Sequence, residues 1–335
     1  MKAIVQDRYG SADTLQLREV EEPVAGDDSV LVRVRAASVH ADVWHAMRGQ
    51  PYVLRILGSG LRAPRNRIPG TDLAGQVQAV GTNVTGFRAG DQVFGQSFVG
   101  NLWRHGGALA EFAAVPASRL ELKPARLTFE QAAAVPTSGT LAVQGVRDEG
   151  RVQPGQRVLI NGAGGAVGTF AVQLAAAYGT HVTGVDAPDK LDMLRSIGAD
   201  RVIDYTQEDF TRGDERYDLI LDLAGTRPWS ECRRALTPDG TYVLSGYDQF
   251  GSSCHRWFGS LGRFAKLIVV SPFERNLHPF RGAKDPGDRM VVLKDLLEAG
   301  TLTPVIDRTY PLGQVPEAIR YLETGRAQGK VVITV

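Results

Sequence analysis

The sequence predicts an α/β protein in which a barrel-like β domain precedes a parallel, doubly wound sheet with helices on both faces. Short strands separated by turn residues fill positions 1 to about 124. From about 125 to 270, strands and helices alternate, which is typical of a parallel sheet. A glycine-rich turn at 161–168 lies between one such strand and its helix. A length of 335 residues allows two or three domains.

The first part of the chain contains several predicted short strands. Residues 30–37 alternate apolar and basic side chains as Val-Leu-Val-Arg-Val-Arg-Ala-Ala, which indicates a half-buried strand. Shorter runs at 70–80 and 91–95 are bounded by Gly, Asn and Asp. We therefore expect a β domain over residues 1–124.

The second part alternates strands with helices. Strand 157–161 follows the turn Pro154-Gly155, and helix 166–178 has apolar residues at i, i+3, i+4, i+7 and i+8 on one face. The further predicted elements are strand 181–186, helix 189–197, strands 201–205 and 217–222, a helix near 228–236, and strands 240–245 and 265–270. The tail is predicted to hold helices at 287–299 and 315–324 and a strand at 330–335. Because the tail is too small to bury a core, we expect it to rejoin the first domain.

The predicted strand at 265–270 contains the apolar run Leu267-Ile268-Val269-Val270. We place it at the edge of the parallel sheet. An exposed apolar edge favours pairing with a second subunit, so this segment points to a dimer.

Composition excludes several classes of protein. Hydrophobic residues make up 43% and charged residues 22%, as in soluble globular proteins. The net charge of +1 gives no field that would attract nucleic acid or anionic lipid. Two cysteines, Cys232 and Cys254, exclude a disulfide framework and a four-cysteine zinc site, and favour a reduced compartment. No apolar run approaches the ~20 residues of a membrane helix or forms a signal peptide, so we expect a cytoplasmic protein.

The glycine-rich turn has the sequence Asn-Gly-Ala-Gly-Gly-Ala-Val-Gly at 161–168. Glycines let the backbone approach a pyrophosphate, and a helix N-terminus offers free N–H groups and the positive end of a dipole. The strand before the turn and the helix after it are the context that a dinucleotide site requires. A tight turn without a ligand is the alternative. The predicted cofactor contacts are Gly162, Gly164, Gly165, Ala166, Val167 and Gly168.

The identity of the dinucleotide depends on Asp186, which ends strand 181–186. A carboxylate at this position can accept hydrogen bonds from both adenosine ribose hydroxyls and repels a 2′-phosphate, which favours NADH. The alternative is a solvated aspartate at a strand end. Lys190 and Tyr205 could also reach the adenosine side, and Lys190 could hold a 2′-phosphate, so NADPH stays open.

With these features in place, the chain resembles the medium-chain dehydrogenase/reductase superfamily over nearly its whole length. The resemblance is strongest to the zinc-independent quinone oxidoreductase and enone reductase branch. The motifs that carry it are Met-Lys-Ala-Ile-Val at 1–5, the stretch 36–49, Pro-Gly-Thr-Asp-Leu-Ala-Gly at 69–75, Gly-Asp-Gln-Val-Phe-Gly at 90–95, the glycine-rich turn, the stretch 198–205, and Gly-Lys-Val-Val at 329–332.

This resemblance implies a GroES-like β-barrel catalytic domain at 1–124, completed by 271–335, and a Rossmann domain at 125–270. The cofactor would lie in the cleft between them, and a homodimer is expected. The resemblance also implies cofactor contacts at Thr137, at Leu244, Ser245 and Gly246, and at Lys330. Asp222 and Gly225 are expected to border the cofactor. The alternative for Asp222 is that it caps a loop.

A catalytic zinc requires three protein ligands. At the positions that match the ligands of the zinc alcohol dehydrogenases, this chain has His40, Thr71 and a residue near Thr137, and only His40 can bind zinc. His45 does not complete a site, because on a helix it would point about 140° away from His40. We therefore expect no zinc.

The pocket positions implied by the resemblance are His40, Asp42, Trp44, His45, Tyr52, Thr137 and 245–247. Tyr52 is a candidate hydrogen-bond donor to a substrate carbonyl. The alternative is that it is an amphipathic tyrosine at a domain edge. His40, with Asp42 near it, could face the nicotinamide or be a packed histidine, since relatives often have Asn there. His45 and Trp44 are interpreted as structural. The arginines between 55 and 67 form a solvated loop or a mouth that attracts an anionic substrate.

These observations leave three hypotheses of function. The first is a zinc-independent reductase that transfers hydride from NAD(P)H to an activated alkene or a quinone. The second is an NAD(P)-dependent alcohol dehydrogenase of a specific pathway. The third is a dinucleotide-binding sensor or scaffold without useful turnover. In the first two cases the partner is a small-molecule substrate, and in none is it a nucleic acid or a membrane.

Overall fold

A computed structural model describes residues 1–53, 55–97, 106–246, 257, 261–279 and 286–335. Tyr247 and Cys254 lie outside the described residues. The fold is of the predicted α/β class and is built on two large sheets. In the part of the chain that the structure describes, no helix combines the length and apolarity needed to cross a membrane.

The strands and helices are numbered in chain order. The strands are β1 (Lys2–Gln6), β2 (Leu15–Glu19), β3 (Ser29–Val39), β4 (Asp72–Val80), β5 (Gln92–Gln96), β6 (Phe112–Pro116), β7 (Leu120–Leu122), β8 (Arg157–Asn161), β9 (His181–Asp186), β10 (Arg201–Asp204), β11 (Tyr217–Asp222), β12 (Leu236–Leu244), β13 (Leu277–Pro279), β14 (Ile306–Pro311) and β15 (Lys330–Thr334). The helices are α1 (Ala41–Arg48), α2 (Phe129–Ala133), α3 (Pro136–Val143), α4 (Ala166–Ala177), α5 (Leu191–Ser196), α6 (Trp229–Cys232), α7 (Leu261–Val270), α8 (Pro286–Glu298) and α9 (Val315–Glu323).

The first sheet is centred on β3, which pairs antiparallel with β4, β6 and β15. In β3 the apolar Val30, Val32 and Val34 are buried whereas Arg33 and Arg35 are exposed, as the alternation predicts. The last strand of the chain, β15, therefore lies beside a strand of the first part, and β14 pairs parallel with β15. The expectation that the tail rejoins the first part is confirmed for these two strands.

The second sheet has six parallel strands in the order β10-β9-β8-β11-β12-β13. The strand and helix alternation predicted from 157 to 245 is confirmed. The sixth strand, β13, extends this sheet beyond residue 270, the predicted end of the Rossmann domain. The carboxyl ends of β8 and β11 meet at the middle of the sheet, which is where ligands bind in doubly wound folds.

The predicted strand at 265–270 is wrong. These residues belong to helix α7, and β13 is the edge strand instead. Leu267 is buried, but Ile268 and Val269 are 55% and 68% exposed, as on two sides of a helix. Four consecutive apolar residues fit a buried strand and a helix equally well, so periodicity could not separate the two. The argument for a dimer from a Leu267–Val270 strand edge therefore loses its basis.

Candidate active site

The glycine-rich turn lies between β8 and α4, as predicted. Gly162 has a φ of +85°, in the left-handed region that suits glycine. Gly165 is the N-cap of the 12-residue helix α4, and no acidic residue lies in the first turn. The helix therefore leaves N–H groups and the positive end of its dipole for an anion. This cradle fits the pyrophosphate of a dinucleotide.

Asp186 is buried and is not a solvated strand end. Its Oδ2 accepts a hydrogen bond of 2.7 Å from the Gly164 N–H, and its Oδ1 accepts one of 2.8 Å from the Ala187 N–H. The Lys190 ammonium lies 3.3 Å from Oδ1 and also donates to the Gly325 carbonyl. Asp186 thus braces the glycine-rich turn and offsets the charge of Lys190. Its role toward an adenosine ribose stays a prediction.

A cavity of about 300 Å³ lies beside this turn, between the two sheets. It brings together both halves of the predicted site. Its lining includes twelve of the predicted residues: His40, Asp42, His45, Thr137, Gly162, Gly165, Ala166, Val167, Gly168, Lys190, Ser245 and Gly246. The predicted residues Trp44, Tyr52, Gly164, Asp186, Tyr205, Leu244 and Lys330 do not line it. Asp186 and Tyr205 instead line a second cavity, of about 320 Å³, which shares Gly162 with the first.

His40 forms part of the cavity wall just before α1. Its Nε2 lies 2.9 Å from the Thr71 hydroxyl, and its Nδ1 lies 3.7 Å from the Asp42 carboxylate. Burial lowers the pKa of His40 below its usual value of 6.5, although the carboxylates of Asp72 and Asp42 oppose this effect. The ring is therefore neutral at pH 7.

Tyr52 does not line the cavity that His40 borders. Its ring packs edge-on against Trp257 at 5.4 Å, and the Arg55 guanidinium lies 4.5 Å from its centre. Arg55 also stacks on Tyr9 and donates to the Gly49 carbonyl, so it is held within the loop. The donor role of Tyr52 stays a prediction.

The sequence reasoning missed the buried carboxylate of Asp72. Its oxygens accept hydrogen bonds from the Thr137 hydroxyl (2.5 Å), the Thr137 N–H (3.1 Å) and the Thr71 hydroxyl (3.2 Å). Burial works to raise the pKa of Asp72, but Lys330, His40 and the bonds from Thr137 outweigh it and hold that pKa below the usual range. Asp72 therefore carries a negative charge and connects β4 to helix α3. The sequence feature that could have identified Asp72 is an aspartate at the start of an apolar strand, within the motif at 69–75.

Lys330 is the counterion of this carboxylate. Neither side chain is exposed, and the Lys330 ammonium lies 3.4 Å from Asp72 Oδ2 and 3.3 Å from the Ser138 hydroxyl. Lys330 therefore lies behind the cavity wall, where it joins β15 to β4 and α3. Its role as a cofactor contact stays a prediction.

The other side of the cavity is formed where β11 and β12 end. The Ser245 and Gly246 N–H groups both donate to the Asp222 carbonyl. A Cβ at Gly246 would lie 1.6 Å from the Leu223 carbonyl oxygen, so the close approach requires glycine. The Asp222 carboxylate accepts from Asn161, Tyr242 and the Gly225 N–H. It therefore caps these loops, as one of its two interpretations predicted.

The positions compared with zinc ligands are His40, Thr71 and Thr137. In the structure the two threonine hydroxyls are engaged with Asp72. Among the described residues, no group of three or more His, Cys, Asp or Glu side chains could hold a metal ion. The donor set at this wall is thus one imidazole and two hydroxyls.

Two family models match the chain. The alcohol dehydrogenase GroES-like domain matches residues 26–125, and the zinc-binding dehydrogenase model matches residues 197–333. A 2-methylene-furan-3-one reductase of Solanum lycopersicum is 32% identical, over 99% of this chain and 79% of the relative. The chain belongs to the medium-chain dehydrogenase/reductase superfamily. It lies in the branch of that superfamily that is similar to quinone oxidoreductases and alkenal/one reductases.

Two further comparisons support this branch of the superfamily. An NADPH-dependent alkenal/one oxidoreductase of Arabidopsis thaliana, described as chloroplastic, is 31% identical over 99% of this chain and 79% of the relative. The solved quinone oxidoreductase of Coxiella burnetii superposes with a TM-score of 0.85 at 27% identity, over 100% of this chain and 99% of that one. The GroES-like first domain and the Rossmann-type sheet are therefore those of the superfamily.

Proposed function

We propose that the protein is a zinc-independent reductase that transfers hydride from NAD(P)H to an activated alkene, such as an enone or enal, or to a quinone. The observation that carries the proposal is the cavity that joins the glycine-rich turn to the wall of His40, Asp42 and Thr137. Its relatives reduce a methylene-furanone, alkenals and enones, and quinones. These acceptors are already electrophilic and need no Lewis acid.

The residues of this chain have separable tasks in that reaction. The helix α4 N-terminus and the glycine-rich turn would hold the pyrophosphate, and a bound nicotinamide would supply the hydride. His40 and Asp42 line the cavity in which the acceptor would bind, and water or one of these side chains would supply the proton. Tyr52 does not line this cavity, and its ring packs against Trp257.

The first test is metal-free turnover. Oxidation of NADH and of NADPH would be followed by absorbance with a small enone and with a quinone, before and after exhaustive chelation. We expect turnover to survive chelation unchanged. Loss of activity that added zinc restores would contradict the proposal. Reduction of NAD or NADP by alcohols, without enone or quinone reduction, would favour the alcohol dehydrogenase, and tight binding without any turnover would favour the sensor.

The choice of dinucleotide can be tested at Asp186. We propose a preference for NADH, because the carboxylate stands next to the turn and would repel a 2′-phosphate. The variant Asp186→Ser should lose roughly tenfold or more in NADH affinity relative to NADPH, the effect of one hydrogen bond to a charged group. Asp189→Ser is the matched control, since it removes an exposed charge nearby and should leave the ratio unchanged. An unchanged ratio in Asp186→Ser would refute the preference.

We also propose a cytoplasmic homodimer, with a small-molecule substrate and no nucleic-acid or membrane partner. The near-neutral charge supports the absence of a nucleic-acid or membrane partner, and the low cysteine count supports a reduced compartment. The homodimer rests on the resemblance to the superfamily alone. Light scattering with size-exclusion chromatography measures the assembly directly, and a monomer at micromolar concentration would contradict the dimer.

A further inference from the structure

A chain of three buried side chains connects the cavity wall to the ion pair behind it. His40 Nε2 lies 2.9 Å from Thr71 Oγ1, and Thr71 Oγ1 lies 3.2 Å from Asp72 Oδ1. His40 is 7%, Thr71 1% and Asp72 0% exposed. Because Thr71 and Asp72 are closed to solvent, the hydrogens between these three side chains must be assigned to protein acceptors.

The Thr71 hydroxyl has one hydrogen and two neighbours that could accept it. If it donates to Asp72, then Thr71 accepts from His40, which must carry its proton on Nε2. If it donates to His40 instead, the imidazole proton lies on Nδ1, beside Asp42. The direction of one hydrogen bond thus decides what His40 offers at the cavity wall.

The geometry favours donation to Asp72. A hydroxyl that donates to an ionised carboxylate forms a stronger bond than one that donates to a neutral imidazole. The competing contact, from Nδ1 to Asp42, spans 3.7 Å and is too long for a hydrogen bond. The Asp42 side chain is also 12% exposed, whereas that of Asp72 is fully buried, so solvent screens Asp42 more.

We propose that Asp72 is a positioning residue: acting through Thr71, it holds His40 with its proton on Nε2 and leaves Nδ1 as a hydrogen-bond acceptor at the cavity wall. A bound ligand or water would then meet His40 with a donor group, such as a hydroxyl. The charged groups around the ring are Asp42, Asp72 and Lys330. The inference deepens the proposed function, because it describes the wall of the same cavity, but it can be tested without turnover.

The test is nitrogen NMR of the free protein with ¹⁵N-labelled histidine, which distinguishes protonated from bare ring nitrogens. The chain has six histidines, and His40→Gln identifies the signals of His40. In the unaltered protein we expect an excess of the Nε2–H form of roughly tenfold or more, the ratio that one charge-assisted hydrogen bond produces. A dominant Nδ1–H form would overturn the proposal.

Three variants separate positioning from mere packing. Thr71→Val, which is nearly isosteric, breaks the chain and should shift His40 toward Nδ1–H, whereas Thr71→Ser keeps the hydroxyl and should preserve the Nε2–H form. Asp42→Asn should also preserve it. The role of Asp72 would be refuted if the ratio of the Nε2–H and Nδ1–H forms of His40 stayed the same in Thr71→Val, or if it changed in Asp42→Asn. If His40 shows the expected tautomers but the protein reduces neither enones nor quinones, the proposed function is refuted and the inference about Asp72 stands.

Discussion

We expect the substitution Lys330→Met to lower the free energy of unfolding by about 3–5 kcal/mol, the cost of leaving one member of a buried ion pair alone. The Asp72 carboxylate would keep its threonine donors but lose its counterion in a place without solvent. Total stabilities of about 5–15 kcal/mol make this a large fraction. Urea unfolding followed by circular dichroism measures the change.

The double variant Lys330→Met with Asp72→Asn is the decisive control for this effect. It removes both charges while an amide keeps much of the hydrogen bonding, so most of the lost stability should return. Lys294→Met is the matched control for the loss of a lysine, since Lys294 forms a partly exposed pair with Glu121 at 3.9 Å and should cost less than about 1 kcal/mol. Equal losses in Lys330→Met and Lys294→Met would show that the buried pair is not a stabilising contact.

Local patterns were sufficient to predict most of the fold. The alternation along β3 and the strand before the glycine-rich turn are properties of short, contiguous segments, and the structure has both where they were expected. The helix α7 was missed because its apolar run is short and its exposed residues, Ile268 and Val269, are apolar too. A short apolar run carries no period that distinguishes a helix from a strand.

The candidate site was predictable only in part, for a physical reason. The cofactor turn is one contiguous motif, so its residues could be named from sequence. The pair of Asp72 and Lys330 joins positions 258 residues apart, and only the pairing of β15 with β3 next to β4 brings them together. One sequence cannot show such a long-range partner. The motif that contains Asp72 was noticed, but the role of its carboxylate depends on that topology.

The same topology gives Thr137 a structural task, and its predicted contact with the cofactor stays a prediction. Its hydroxyl donates to Asp72 and accepts from Gln96, so its hydrogen-bonding capacity is largely used inside the wall. His40, Asp42, His45 and Ser138 are among the polar residues that line the cavity together with Thr137.

The second large effect is expected at Gly168, in the first turn of α4. A Cβ at this position would lie 2.3 Å from the Gly162 carbonyl oxygen and 2.4 Å from that of Ala163. Both contacts are with backbone, so Gly168→Ala must displace the glycine-rich turn from the start of the helix. Overpacking of this kind costs about 1–3 kcal/mol.

Because the displaced backbone is the predicted pyrophosphate cradle, we expect Gly168→Ala to weaken NADH and NADPH alike, by roughly tenfold or more. Titration of each dinucleotide by calorimetry measures this loss, and thermal unfolding shows whether the variant is folded. Gly86→Ala is the matched control, since a Cβ there meets no atom within 4 Å and affinity should not change. If Gly168→Ala bound both cofactors as tightly as Gly86→Ala, the pyrophosphate would have to bind elsewhere, because no ligand held by this turn could tolerate its displacement.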